Sequence, residues 1–416
     1  MKPMSDVSRA AFSIPSHIPH DRIYDFDMYN PQSNGAEDYY DFWKGLQEEG
    51  VPDLVWTPRN EGHWIATRGK TVAEILKDYT RFSSQIFFIP KSMGAEWDGL
   101  PSQLNPPEHT PYRQILNRHM GRDKIMAMEA DIRALAIELI ESFVNDGHCE
   151  LRMQFADIFP IRMFLALTKL PYEDAEKLVR YVAMMMKPEG DTPEAMAESL
   201  VRGKTALYDY IAPVLEERAA NPGDDVVSGI ANGLVNGRPL TADEKNRLVT
   251  IVLLGGLDTV MNFIPVCLGH LAKNPDLVEE IRENIDRLPF MTEELFRRFP
   301  LVNEARMVAN DVVYDGVQLK AGEMVLAPTT LHGVDERENE CPMKLDFSRK
   351  RPAHSTFGAG VHICAGMHLA RLEVVILLEE WLKRIPRFRM KPGFEFKTYT
   401  GIIGSAGPLE LEWDVG

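Results

Sequence analysis

The sequence predicts a mainly α-helical protein with a smaller β-rich part. Three observations carry this. Residues 125 to 240 place their apolar side chains at helical spacing over most of their length. Thr241-Ala-Asp-Glu244 is a capping box, and the apolar run behind it reaches Lys273, a helix of about 50 Å. Strand-like runs are short and fall in three places, near residues 54–67, 312–327 and 388–413.

In chain order, residues 1 to 36 are rich in Pro, Asp and Asn and read as an irregular arm. Helical spacing starts at Tyr39 with Phe42, Trp43 and Leu46. Leu54–Thr57 and His63–Thr67 read as a hairpin turning at Asn60-Glu61-Gly62, and Thr71–Asp78 as a helix. Ser83 to Pro107 has little periodicity and many Pro and Gly residues, yet it carries Phe87, Phe88, Ile89, Trp97 and Leu100. A long apolar loop of this kind suits a flap over a cavity. A helix bearing Arg118, His119, Arg122 and Lys124 follows, a basic patch that suits an acidic partner. Helices are then expected at 125–145, 155–170, 175–186 and 193–219, with Met184 to Met186 a soft apolar cluster for core or substrate. Within the long helix, Gly255-Gly256-Leu257-Asp258-Thr259 combines two glycines with a threonine able to divert hydrogen bonds, so a distorted turn is expected there. Glu294 and Arg297 share a helix face and can pair. Asp315-Gly316 marks a hairpin, Met324–Ala327 a strand, and Phe388–Trp413 a strand pair with Ile402 and Ile403 at its turn.

Apolar residues make up 44 % of the 416, enough for a large core, and the net charge of −16 argues against a nucleic-acid partner. Four scattered cysteines (Cys149, Cys267, Cys341, Cys364) form no C-x-x-C pair, which fits a reducing cytoplasm better than a disulfide framework or a zinc site. The N-terminus lacks an apolar signal core. The stretch Leu248–Ala272 is long enough to span a bilayer, but Asp258 at its middle makes it a buried helix, not a membrane anchor.

The functional centre is Ser355–Arg371, STFGAGVHICAGMHLAR. Glycines here let backbone N–H groups approach a ligand, and Cys364 stands where a helix begins. A helix start stabilises a thiolate.

This stretch resembles the haem-binding loop of the cytochromes P450, Phe-x-x-Gly-x-x-x-Cys-x-Gly, filled by Phe357, Gly360, Cys364 and Gly366. The resemblance continues through His109 and Arg113 (H-x-x-x-R), Gly255 to Thr259 of the oxygen-activating helix, and Glu294 with Arg297 (E-x-x-R). Segments such as VNGRPLTADE and DERENECPMKLDFSR are similar to soluble bacterial camphor monooxygenases. The family implies one domain over residues 1–416, a triangular helical prism around a buried haem b. It implies Cys364 as the axial ligand of iron and His109, Arg113, Arg306 and His362 as propionate contacts. Asp258 and Thr259 would relay protons to dioxygen, and Glu294–Arg297 would be scaffold. Electrons would come from NAD(P)H through a reductase and a [2Fe–2S] ferredoxin. A cytoplasmic monomer is expected.

One departure from the camphor pattern concerns substrate. The flap tyrosine and the phenylalanine two residues on are replaced by Trp97 and Gly99. Indole is a donor only, and losing a matched polar contact changes selectivity strongly. Camphor is therefore expected to be a poor substrate, and a larger terpenoid or norisoprenoid a better one, held by Phe88, Trp97, Ile251, Leu254, Gly255, Val302 and Ile403. Rival readings are a peroxide-driven haem-thiolate enzyme, against which Asp258-Thr259 counts, and a haem-thiolate sensor without turnover.

Overall fold

In the computed structural model, residues 1–30, 38–95, 99–186, 189–190 and 193–415 are described. Helices dominate. The longest, Ala242–Lys273, has its capping box in place: the Glu244 amide donates to Thr241 Oγ1, and the Thr241 amide donates to Glu244 at 2.8 Å. Eighteen of its residues are buried, from Leu248 to Ala272, which accounts for an apolar run that would otherwise suit a membrane. Phe159–Thr168, Pro193–Ala220, Val226–Ala231 and the strand at Ser405–Ala406 pack against it.

The β-rich part is a five-stranded sheet in the order Leu54–Thr57, His63–Ala66, Met324–Pro328, Asn303–Val308, Phe82–Ser83. His63–Ala66 meets Met324–Pro328 in parallel; the other neighbours are antiparallel. The hairpin turns where expected, with Asn60, Glu61 and Gly62 all at positive φ. Asp315 and Gly316 do the same for Val312–Tyr314 and Val317–Leu319. Positive φ at both central positions fits the right-handed strand twist, hence the Asp-Gly pair. Thr398–Tyr399 pairs with Ser405–Ala406, and Ile402 and Ile403 lie in the loop between them.

Residues 1–30 are largely irregular, as expected, and they pack onto the fold: Met4, Ile18, Ile23, Tyr24, Phe26 and Met28 are buried, and Ile23 bridges Trp56 at the sheet edge. Two expectations need correction. The helix expected over 125–145 is two, Arg122–Met126 and Glu129–Glu141. The distorted turn at Gly255–Thr259 is absent, and the helix runs through unbroken. Thr259 does donate its hydroxyl to the Gly255 carbonyl, at 3.2 Å, yet the backbone stays helical through the turn. The buried turns on either side, residues 248–254 and 260–272, hold the helix continuous through two glycines of weak propensity.

Candidate haem and oxygen site

The loop before Cys364 is shaped by glycines that no other residue replaces without strain. Gly358 and Gly360 both have positive φ. A Cβ on Gly360 would stand 3.0 Å from the Lys77 backbone, because the loop presses on the helix Gly69–Lys77. The Cys364 amide donates to the Phe357 carbonyl at 2.8 Å, closing the loop on itself. Phe357 is wedged between the Phe296 ring, 4.9 Å away, and the Arg371 guanidinium, 4.3 Å from its centroid. The following helix is Met367–Arg384, so Cys364 lies just ahead of its first turn. Burial raises the thiol pKa, while the Gly366 amide and Arg113 oppose the rise. The exposed surface of Cys364 opens into a cavity of about 350 Å³ within the fold.

Most of the predicted site residues line this cavity. His109, Arg113, Arg306, Phe357, His362, Cys364 and Gly366 do, and so do Thr259, Phe88, Ile251, Leu254, Gly255, Val302 and Ile403. Asp258 and Gly360 are not on its wall, and Trp97 lies outside the described residues. Met185 belongs to the core and does not line the cavity.

Two unpaired imidazole nitrogens and two guanidiniums meet at the cavity. His109 Nε2 and His362 Nε2 are buried without a hydrogen-bond partner, and their rings meet edge to face at 4.5 Å. Burial, with Arg306, His109 and Arg113 nearby, pushes the His362 pKa down to about 3. Burial and Arg113 push that of His109 down to about 4. Arg113 bonds Asn117 at 2.7 Å and the Ile363 carbonyl, and Arg306 bonds Glu304 at 2.6 Å. Two guanidiniums and two orphaned imidazoles around one opening form a site for paired carboxylates. They fit haem: its propionates would take these donors while Cys364 would hold its iron.

The pKa shifts give a pH prediction. Both imidazoles have folded pKa values below the unfolded value of about 6.5. Their neutral forms favour folding, so that contribution is complete above pH ~6.5 and is lost as pH falls toward the depressed values. Acid titration of haem-free protein should show stability declining below pH ~6.5. Haem should lessen the decline, because propionates favour the imidazolium form.

Thr259 reaches the cavity, and its turn is roomy: no heavy atom lies within 4 Å of a Cβ placed on Gly255. Asp258 points elsewhere. Asn262, one turn on and 1 % exposed, donates to the Asp258 carbonyl at 2.7 Å and to its carboxylate at 3.2 Å. Asn262 in turn accepts from Arg152 and from the Ala406 amide. Sequence reading missed Asn262, though its i, i+4 spacing from Asp258 was visible. It also missed Glu304 and Glu373, two carboxylates on the cavity wall with no motif to mark them.

Much of the remaining wall is apolar. Val302 bridges Ile403, and the Asn303 amide donates to the Ile402 carbonyl at 2.7 Å, so two wall segments are tied by backbone. The flap is tied on as well, since the Ala305 amide donates to the Phe87 carbonyl.

Comparison with known proteins decides the family. Residues 152–396 match the family model described as Cytochrome P450. The chain belongs to the cytochrome P450 family. A probable cytochrome P450 127A1 of Sinorhizobium fredii is 31 % identical over 99 % of this chain and 100 % of its own length. The mycinamicin IV hydroxylase/epoxidase of Micromonospora griseorubida is 28 % identical over 88 % of this chain and 93 % of its own. The crystal structure of CYP101J2 superposes with a TM-score of 0.90 at 38 % identity, covering 97 % of this chain and 100 % of that one. These matches agree with the resemblance to bacterial camphor-type P450s. The protein is a haem-thiolate monooxygenase that binds haem b. Such a thiolate ligand pushes electron density to favour O–O cleavage.

Proposed function

We propose that this P450 hydroxylates an apolar terpenoid or norisoprenoid, with electrons delivered from NAD(P)H by a reductase and a [2Fe–2S] ferredoxin. The observation that carries the substrate class is the apolar lining of the cavity into which Cys364 opens. Phe88, Ile251, Leu254, Val302 and Ile403 line it, and the Thr259 hydroxyl is already engaged with its own helix. Such a wall favours a compact hydrocarbon body with few polar groups. The indole at Trp97 and the missing ring at Gly99 turn the preference away from camphor. The test is a panel of camphor, β-ionone and limonene, scored by the low-spin to high-spin shift and by NADH-dependent product. β-Ionone or limonene should give the fuller shift. Tight camphor binding with a full shift would overturn the preference.

Cys364 is read as the iron ligand, the His109–Arg113–Arg306–His362 cluster as the propionate site, and Asp258 with Thr259 as the proton relay. The relay carries its own prediction. Thr259→Ala should keep consuming NADH while product falls and hydrogen peroxide rises. Asp258→Asn should slow turnover by about 10²-fold, the scale of a lost general acid. Unchanged product formation in both variants would remove the assignment.

Arg118 and Arg122 are exposed and remain candidates for docking an acidic ferredoxin. Lys124 is paired with Asp224 at 2.6 Å, and the His119 ring is packed against Gly229, so the patch is smaller than the sequence implied. Ferredoxin-dependent turnover should fall with added salt over the range where the Debye length shortens below about 10 Å. The apolar helix buried in the core agrees with a cytoplasmic enzyme.

A further inference from the structure

The flap is held from outside the cavity by a residue with a strained backbone. Phe87 and Phe88 line the cavity, and the short helix Lys91–Ala95 follows them. That helix seats back on the lining segment. A Cβ on Gly94 would stand 2.7 Å from the Ile86 side chain and 3.1 Å from the Phe88 carbonyl oxygen. Packed this closely, the helix and the two rings shift together. Three separate parts of the chain anchor it. The Tyr29 hydroxyl donates to the Ile89 carbonyl, and Lys91 donates to the Gly322 carbonyl at 2.6 Å. Glu61 is the third anchor, its carboxylate accepting from the Ser92 amide at 3.0 Å and from the Ser92 hydroxyl. Glu61 stands at the hairpin tip with φ 70°, which costs any residue that carries a Cβ. The rest of the hairpin is fixed. Its strands belong to the five-stranded sheet, and Arg59 and Asn60 are bonded to Asp25 and Asp27. Glycine would suit the tip better, and what glutamate adds there is the bond to the flap.

We propose that Glu61 is a positioning residue for entry to the cavity. Its carboxylate latches the flap helix to the sheet and sets the rate at which ligands pass Phe87 and Phe88. It takes no part in the chemistry beside Cys364. A charge-assisted bond between exposed groups is strong enough to slow a flap and weak enough to open at every turnover. The latch acts on any bulky ligand, whatever the substrate class.

The test uses the haem-loaded enzyme and 4-phenylimidazole, an azole whose binding to haem iron is followed by the Soret shift after rapid mixing. Glu61→Gly removes the latch while suiting the backbone at that position, so its thermal midpoint should stay near that of the wild type. Association and dissociation should both quicken by about fivefold, the scale of one exposed charge-assisted hydrogen bond. Glu61→Gln keeps an acceptor oxygen for Ser92 and should fall between the two. Ser92→Ala should quicken exchange in the wild-type background and add nothing to Glu61→Gly, since both changes act on one contact. Unchanged exchange in Glu61→Gly, or a Ser92→Ala effect that persists undiminished without Glu61, overturns the latch and leaves the haem site and the substrate preference standing.

Discussion

Cys364→Ser should still fold and take up haem, but its product formation should fall at least about 10³-fold. The first half follows from the loop. What shapes it is the pair of positive-φ glycines, the Cys364 amide bond to the Phe357 carbonyl, and the Phe357 ring between Phe296 and Arg371. None of these uses the sulfur. Haem uptake would rest on the cavity's apolar wall and on the four donors at its edge. The second half follows from chemistry. A serine hydroxyl carries no sulfur and stays protonated at neutral pH, so the electron push that favours O–O cleavage is lost with the thiolate. Electron paramagnetic resonance of the ferric variant should lose the low-spin thiolate signature. The magnitude is set by what a dedicated ligand supplies, a few kcal/mol of barrier, where each 1.4 kcal/mol or so is tenfold.

Arg297→Ala should cost roughly 3–5 kcal/mol of stability and abolish stable haem loading, without touching the cavity. Arg297 is fully buried. It holds Glu294 through two bonds of 2.7 and 2.8 Å and also donates to the carbonyls of Gly333, Pro342 and Lys344. Glu294 further accepts from the Asp346 amide and from Arg349. The pair therefore staples the helix Leu288–Arg298 to the chain that leads into the cysteine loop. Removing the guanidinium leaves a buried carboxylate and three carbonyls with fewer donors. Denaturant unfolding of haem-free wild type and variant gives the comparison. A double substitution of both partners by apolar residues should recover part of the loss, since the buried Glu294 carboxylate is then no longer left without Arg297.

Much of the fold and the site was legible in the sequence because the signals were local. Hairpins need Asn-Glu-Gly or Asp-Gly at positive φ, the long helix has a capping box, and Cys364 is framed by glycines that its loop requires. Other features depend on partners distant in sequence. Nothing between residues 1 and 30 shows that this segment seals the sheet edge, because its apolar side chains follow neither helical nor strand spacing. The expected distortion at Gly255–Thr259 followed from local propensity, whereas the buried turns on either side keep the helix continuous. The basic patch shrank because Asp224, a hundred residues away, neutralises Lys124. Glu373 and Glu304 stood on no motif. What singles them out is surroundings: an apolar pocket for one, and Arg306 at 2.6 Å for the other.

Carbon monoxide reads thiolate ligation at position 364 most directly. Reduced, haem-loaded protein exposed to carbon monoxide should show its Soret band at the red-shifted position that a thiolate partner produces, and Cys364→Ser should lose that shift. A band at the shorter wavelength of an imidazole-ligated haem in the unmodified protein would contradict it.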